Sequence, residues 1–183
     1  MRIDAFKKLV IIGIFCYIPF ASNAWSLLGH RIVGEIAESY CSKKTKRGIQ
    51  EILGNESIAM SSNWMDFAKS DPTYNYLFNW HFVNLRGGLS ITELENFLAT
   101  DTATDAYTKI NFCIQQLKNR SVLTMETRLL YLRVLIHVIG DIHQPMHLAH
   151  LDDLGGNKVK VLCLTPQQTC IPCGTISLLK TRI

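Results

Sequence analysis

The chain has 183 residues, 48% of them hydrophobic and 19% charged, with a formal net charge of +4. That length can bury a core without disulfide staples. The charge gives no case for a polyanion-binding surface. The first 24 residues hold three basic side chains and one acidic one, which leaves +2 on the remainder, so any nucleic-acid contact must come from a local site.

Residues 1–24 carry a basic start (Arg2, Lys7, Lys8), an apolar stretch from Leu9 to Phe20, and the small residues Ser22 and Ala24 before a cut. This is the pattern of a secretory signal peptide, too short to be a comfortable membrane span. Trp25 then becomes the new N-terminus of a secreted or periplasmic protein with no further membrane segment. Of six cysteines, Cys16 leaves with the signal; Cys41, Cys113, Cys163, Cys170 and Cys173 remain. An odd number in an exported chain leaves disulfide pairing open. No internal repeat or low-complexity stretch breaks the remainder, so one domain is expected.

Helices follow in chain order. Ile32, Val33, Ile36, Ala37 and Tyr40 form a helical stripe. Lys43 to Leu53 predicts a short basic helix stopped by Gly54. Between Asn55 and Asn84 the periodicity breaks, with Asp71-Pro72 and scattered aromatics, which places Asp66 and His81 at helix ends or in loops. Ser90 with Glu93 is a capping box that opens a helix through Phe97. Tyr107, Ile110, Cys113, Ile114 and Leu117 mark another. Leu129 to Ile142 is apolar almost all round, as a helix inside the protein would be. Lys158–Leu162 is the one stretch that could alternate as a strand, so the fold class is all-α.

The segment from His137 to His147 is the densest chemistry in the chain. His137 and Asp141 are four residues apart and project from one helix face. A buried, ionised Asp is costly unless paired, and a cation held between it and an imidazole would pair it. A core His–Asp hydrogen bond is the alternative for this pair taken alone. His147, just past Pro145 where the helix must end, shifts the reading toward a metal, and the ligand types point to zinc.

Five motifs in order then resemble a known family: Trp25-Ser-Leu-Leu-Gly-His30, Trp64-Met-Asp66-Phe-Ala-Lys69, Trp80-His81-Phe82-Val-Asn84, the His137–His147 segment, and Asp153-Leu-Gly-Gly-Asn157. They are similar to those of the secreted, zinc-dependent, single-strand-specific nucleases of the S-one/P-one type. That family is mainly helical, holds three zinc ions in a cleft, and shares its fold with bacterial zinc phospholipases C.

The resemblance implies that Asp66, His81, His137 and Asp141 hold one zinc and that Asp141 bridges to a second. The second would be bound by His30 and by the free amine and carbonyl of Trp25, so that signal cleavage creates a ligand; an α-amine donates only when free and deprotonated. The third zinc would use His147, together with a histidine and an acid from an N-L-H-x-x-W-D motif that this chain lacks. Asp152 and Asp153 are the local carboxylates left to His147.

The resemblance implies hydrolysis of phosphodiester bonds in single-stranded DNA or RNA to 5′-nucleotides, by a chain acting as a monomer. Clustered zinc makes hydroxide available near neutral pH and neutralises charge on the transition state. Beside the ligand Asp66, Lys69 would add positive charge; Phe82 would stack on an unpaired base and Asn84 would bond its edge. A zinc phospholipase C and an inactive truncated product are the alternatives.

The boundaries expected are a signal at 1–24, an incomplete nuclease-like helical domain at 25–162, and an aberrant tail at 163–183. Regrouping the codons of Gln167–Thr175 by one base allows the reading T-N-L-H-T-V-W-D, the motif otherwise missing after Gly-Gly-Asn. A frame shift would also account for the odd cysteines, and it predicts a chain of low stability and little activity.

Overall fold

The computed structural model describes residues 27–148, 150–156, 158–161 and 168–169. The expected signal, Trp25, Asn157 and most of the tail lie outside the described residues. Among the described residues there are seven α-helices: α1 (Leu27–Tyr40), α2 (Lys43–Leu53), α3 (Ile58–Ser61), α4 (Trp64–Ala68), α5 (Ile91–Ala99), α6 (Ala106–Lys118) and α7 (Met125–Ile142). Short 3-10 helices cover Pro72–His81, Arg120–Val122 and Pro145–Leu148. Among the described residues the protein is all-α apart from one antiparallel pair of two-residue strands, β1 (Lys160–Val161) and β2 (Gln168–Thr169), with Lys160 opposite Thr169. The expected strand near 158–162 is thus present only as half of a minimal ladder.

Local signals set most helix starts. Ser42, Ser57, Ser90, Asp105 and Thr124 each accept a backbone N–H with the side chain at an N-cap, at about 1 kcal/mol per cap. Ser90 and Glu93 close the capping box, and the helix runs two residues beyond Phe97. Gly54, at φ +66, ends α2 in a conformation that favours glycine.

Helix α7 is the hub. It touches α1, α2, α3, α4, α6 and the 3-10 helices at Pro72–His81 and Pro145–Leu148, which is why its sequence is apolar nearly all round. Val134 and Val138 join Met65, Leu77, Val83, Ala106 and Cys113 in the main core. Leu132 packs with Leu53 and Ile58 in a second cluster under α2 and α3. Among the described residues no helix is long and apolar enough to cross a membrane.

The stripe expected on α1 forms a helix but faces outward: Ile32, Ile36 and Tyr40 are 50%, 54% and 87% exposed. Its buried residues are Gly29, His30 and Gly34. A Cβ at Gly34 would stand 2.9 Å from the Cα of Ala59, so α1 meets α3 backbone to backbone. Glycine, not the apolar stripe, makes this contact.

Where periodicity failed in the sequence, the chain uses period three. The ten-residue 3-10 helix begins at Pro72, capped by the Asp71 side chain. Tyr74, Leu77 and Trp80, spaced by three, all pack on the main core, as side chains at i and i+3 eclipse in this helix. Phe78 and His81 share a neighbouring face by the same spacing. This puts the last residue of the element, His81, at the edge of the core.

Alanine at Gly34 gains up to about 1 kcal/mol in helix propensity, but its methyl group must push two backbones apart. The expected net effect is a destabilisation of about 1–3 kcal/mol, read by chemical denaturation. A Gly34→Ala protein as stable as the parent would show that α1 and α3 separate freely.

Candidate metal centre

Five elements deliver the polar residues of the core to one point. Helix α7 brings His137 and Asp141 on one face, α1 brings His30, α4 brings Asp66, and the two 3-10 helices bring His81 and His147. His30, His81, His137, Asp141 and His147 are all buried. The seams between elements are tied by Val83, whose N–H donates to the His147 carbonyl at 2.8 Å, and by a parallel bridge of Leu85 to His150.

Asp141 sits in the middle, and its two oxygens face opposite ways. Oδ2 is 2.8 Å from His81 Nδ1 and 3.1 Å from His137 Nε2. Oδ1 is 3.3 Å from His30 Nε2 and 3.7 Å from His147 Nε2. Asp66 also spans both sides, with Oδ1 at 3.9 Å from His137 and Oδ2 at 3.8 Å from His30. Two triads, His30–His137–Asp141 and Asp66–His81–His137, have ligand atoms within 4.8 Å of one another.

The donor count asks for a cation. The Nδ1–H of His137 donates to the Ser62 carbonyl at 2.6 Å, so in the neutral ring Nε2 carries a lone pair. That lone pair faces the carboxylate of Asp141 and, at 3.0 Å, the Nδ1 of His81. Lone pairs gathered this closely need a proton or a metal ion between them.

The titrations follow from the same crowding. Burial opposes ionisation of Asp141, but the facing imidazoles, His137 first, outweigh it and hold the carboxyl well below its usual range. Burial likewise opposes charging His137, yet Asp141 and Asp66 outweigh it and raise its pKa. His81 goes the other way: burial dominates, Asp141 only partly offsets it, and the pKa falls to about 4. Burial also lowers His147. Asp66 resists its own burial through His137 and Lys69, the latter bonded to its Oδ1 at 2.7 Å, and is lowered.

Two contributors carried weaker sequence signals. Ser62 acts through its backbone carbonyl, which no side-chain pattern marks. Gly140 breaks the apolar run of α7, and a Cβ there would lie 2.7 Å from His30 Nδ1. It lets the ring of His30 stack on that of His137, with centroids 4.1 Å apart. A lone glycine inside an otherwise strong helix was the available clue.

The remaining expected residues fall at the margin. His147 joins the Oδ1 side of Asp141, and among the described residues it forms no ion pair with Asp152 or Asp153; Asp153 accepts from the Gly156 N–H. Phe82 is only 3% exposed. Gly155, at φ +63, lies against it so closely that a Cβ there would be 2.5 Å from its own. The face of Phe82 is therefore closed in this conformation. Asn84 is half-buried, and its Oδ1 has no partner among the described residues. Trp25 is outside the described residues.

The helical core and the carboxylate–imidazole cluster are those of a candidate metallohydrolase, and the comparisons with known proteins agree. The sequence model of the S1/P1 nuclease family matches residues 25–169, and the chain belongs to that family of hydrolases. It is 28% identical to Endonuclease 3 of Arabidopsis thaliana over 161 residues, covering 84% of this chain and 55% of the relative. It is 26% identical to nuclease S1 of Aspergillus oryzae and 27% to nuclease P1 of Penicillium citrinum, each over 157 residues and 75% of this chain. Those alignments cover 48% and 52% of the relatives. The chain spans about half the length of the curated relatives it matches.

The opposed histidine shifts fix a pH profile for the metal-free protein. Between pH 6.5 and about 4 the unfolded chain protonates His81 while the folded one resists, and His147 acts in the same direction, so stability falls as pH falls. Above 6.5 the folded chain keeps the His137 proton that the unfolded one has lost, so that contribution disappears as pH rises through the raised pKa. Denaturation midpoints measured with a chelator should peak near pH 6.5. A profile that is flat, or lowest there, would refute these assignments.

Proposed function

We propose that residues 25–162, freed from the signal at 1–24, form the zinc-binding part of an endonuclease that hydrolyses phosphodiester bonds in single-stranded DNA or RNA. The observation that carries this reading is the carboxylate of Asp141, with two imidazoles on each oxygen. A carboxylate that bridges two cations turns one oxygen toward each, and the imidazoles on either side supply further donors. The family match supports the reaction class.

Zinc held by Asp66, His81, His137 and Asp141 on one side, and by His30 with the Trp25 amine on the other, would supply Lewis acidity and acidify water. The chain's own residues complete the site. Ser62 holds the ring of His137 in one tautomer. Lys69, about half exposed and bonded to Asp66, keeps a positive charge at the mouth where a phosphate would arrive. Asn84 has an unpaired carbonyl that is enclosed in this conformation, and Phe82 is covered by Gly155, so their use on a base would require the turn at Gly155 to lift.

The purified chain beginning at Trp25 should bind zinc and cut single-stranded DNA slowly, with chelator abolishing the activity and zinc restoring it. Hydrolysis of phosphatidylcholine vesicles in preference to DNA would replace this reading with the phospholipase one.

Asp141→Asn should remove more zinc than His147→Ala, because it takes charge from both ions. Its loss of affinity should exceed the roughly 10–100-fold typical of an outer-shell change. Elemental analysis showing equal losses would contradict the bridging role. An extra Met ahead of Trp25 should also lower zinc content, and unchanged stoichiometry there would remove the amine from the ligand set.

A further inference from the structure

Beside the cluster lies a cavity of about 220 Å³ lined by Leu85, Arg86, Gly87, Gly88, Leu89, Leu94, Leu148 and His150. It is smaller than the roughly 300–1,000 Å³ of pockets that enclose a whole drug-sized ligand, so it suits a fragment of a longer molecule. Its walls are four leucines, and its polar side chains are a guanidinium and an imidazole. We propose that this cavity takes one nucleotide of the bound single strand, with the phosphate on Arg86 and His150 and the sugar and base against the leucines.

Continuity with the metal centre selects this occupant. Arg86 stands two residues beyond Asn84 and five beyond His81, while His150 stands three beyond His147. The bridge of Leu85 to His150 fastens the two segments to each other. Five residues separate His81 from Arg86 and three separate His147 from His150, at most about 16.5 and 10 Å of extended chain, so a strand with one phosphate at the cluster can place a neighbouring nucleotide in the cavity. Gly87 keeps the pocket narrow: a Cβ there would be 2.5 Å from His150 Cε1, so the imidazole packs directly against the main chain.

Among the described residues no carboxylate forms an ion pair with Arg86. Glu93, which feels its charge, accepts on Oε2 from the N–H and hydroxyl of Ser90 at 2.8 and 2.7 Å. An arginine stays charged at all working pH values and grips phosphate with two parallel N–H bonds. With a net charge this small on the chain, one such residue beside the cluster matters more than the overall field.

This inference rests on the nuclease reading, and the test separates the two. Binding of a fluorescent, nuclease-resistant single-stranded oligonucleotide to the zinc-loaded chain is measured by anisotropy across a salt series. Arg86→Gln should weaken binding roughly tenfold, the effect of losing one charged hydrogen bond, and should flatten the plot of log K against log salt by about 0.7. His150→Ala should weaken it less and leave the slope nearly unchanged. Lys44→Gln on α2, which does not line the cavity, should change neither.

If the parent chain binds no oligonucleotide, the nuclease reading falls and this inference falls with it. If the parent binds and Arg86→Gln has the same affinity and slope, the subsite alone is wrong. An equal loss in Lys44→Gln would reduce the effect to general charge and also overturn it.

Discussion

A single buried negative charge organises this protein. Asp141 is ionised in the interior, where an isolated carboxylate would be prohibitively costly, and four imidazoles from four other positions converge on it. Each of them is delivered by a different stretch of chain or turn of helix. The packing around α7 can be understood as the means of delivery: the helix contacts nearly every other element, so its polar face lies where those elements meet.

That convergence has a cost that the sequence must meet elsewhere. Gly34 lets α1 approach α3, and Gly140 lets the His30 ring lie on α7. Both glycines weaken the helices that contain them by about 1 kcal/mol relative to alanine, in exchange for a polar site with no room to spare. The outward stripe of α1 follows from the same choice, since the helix spends its inner face on glycine and histidine.

Much of this was legible beforehand. Helices α2, α5, α6 and α7 carry strong periodicity or caps, and the i,i+4 pairing of His137 with Asp141 needs only helical geometry. The 3-10 helix before His81 was hidden because its apolar residues repeat every three positions, a period weighed for neither helix nor strand. The Ser62 carbonyl was invisible because any residue supplies one. The burial of Phe82 under Gly155 was missed for a different reason: a motif names residues but not the turn that covers them. The direction of the α1 stripe misled because exposure is decided by the partner helix and not by the stripe.

Zinc-edge anomalous diffraction from crystals of the chain beginning at Trp25 tests the central claim most directly. The account predicts two anomalous peaks flanking Asp141, one within about 2.0–2.2 Å of donors from Asp66, His81 and His137, the other beside His30. It is contradicted by maps with no peak at Asp141, in which the carboxylate remains hydrogen-bonded directly to His81 and His137.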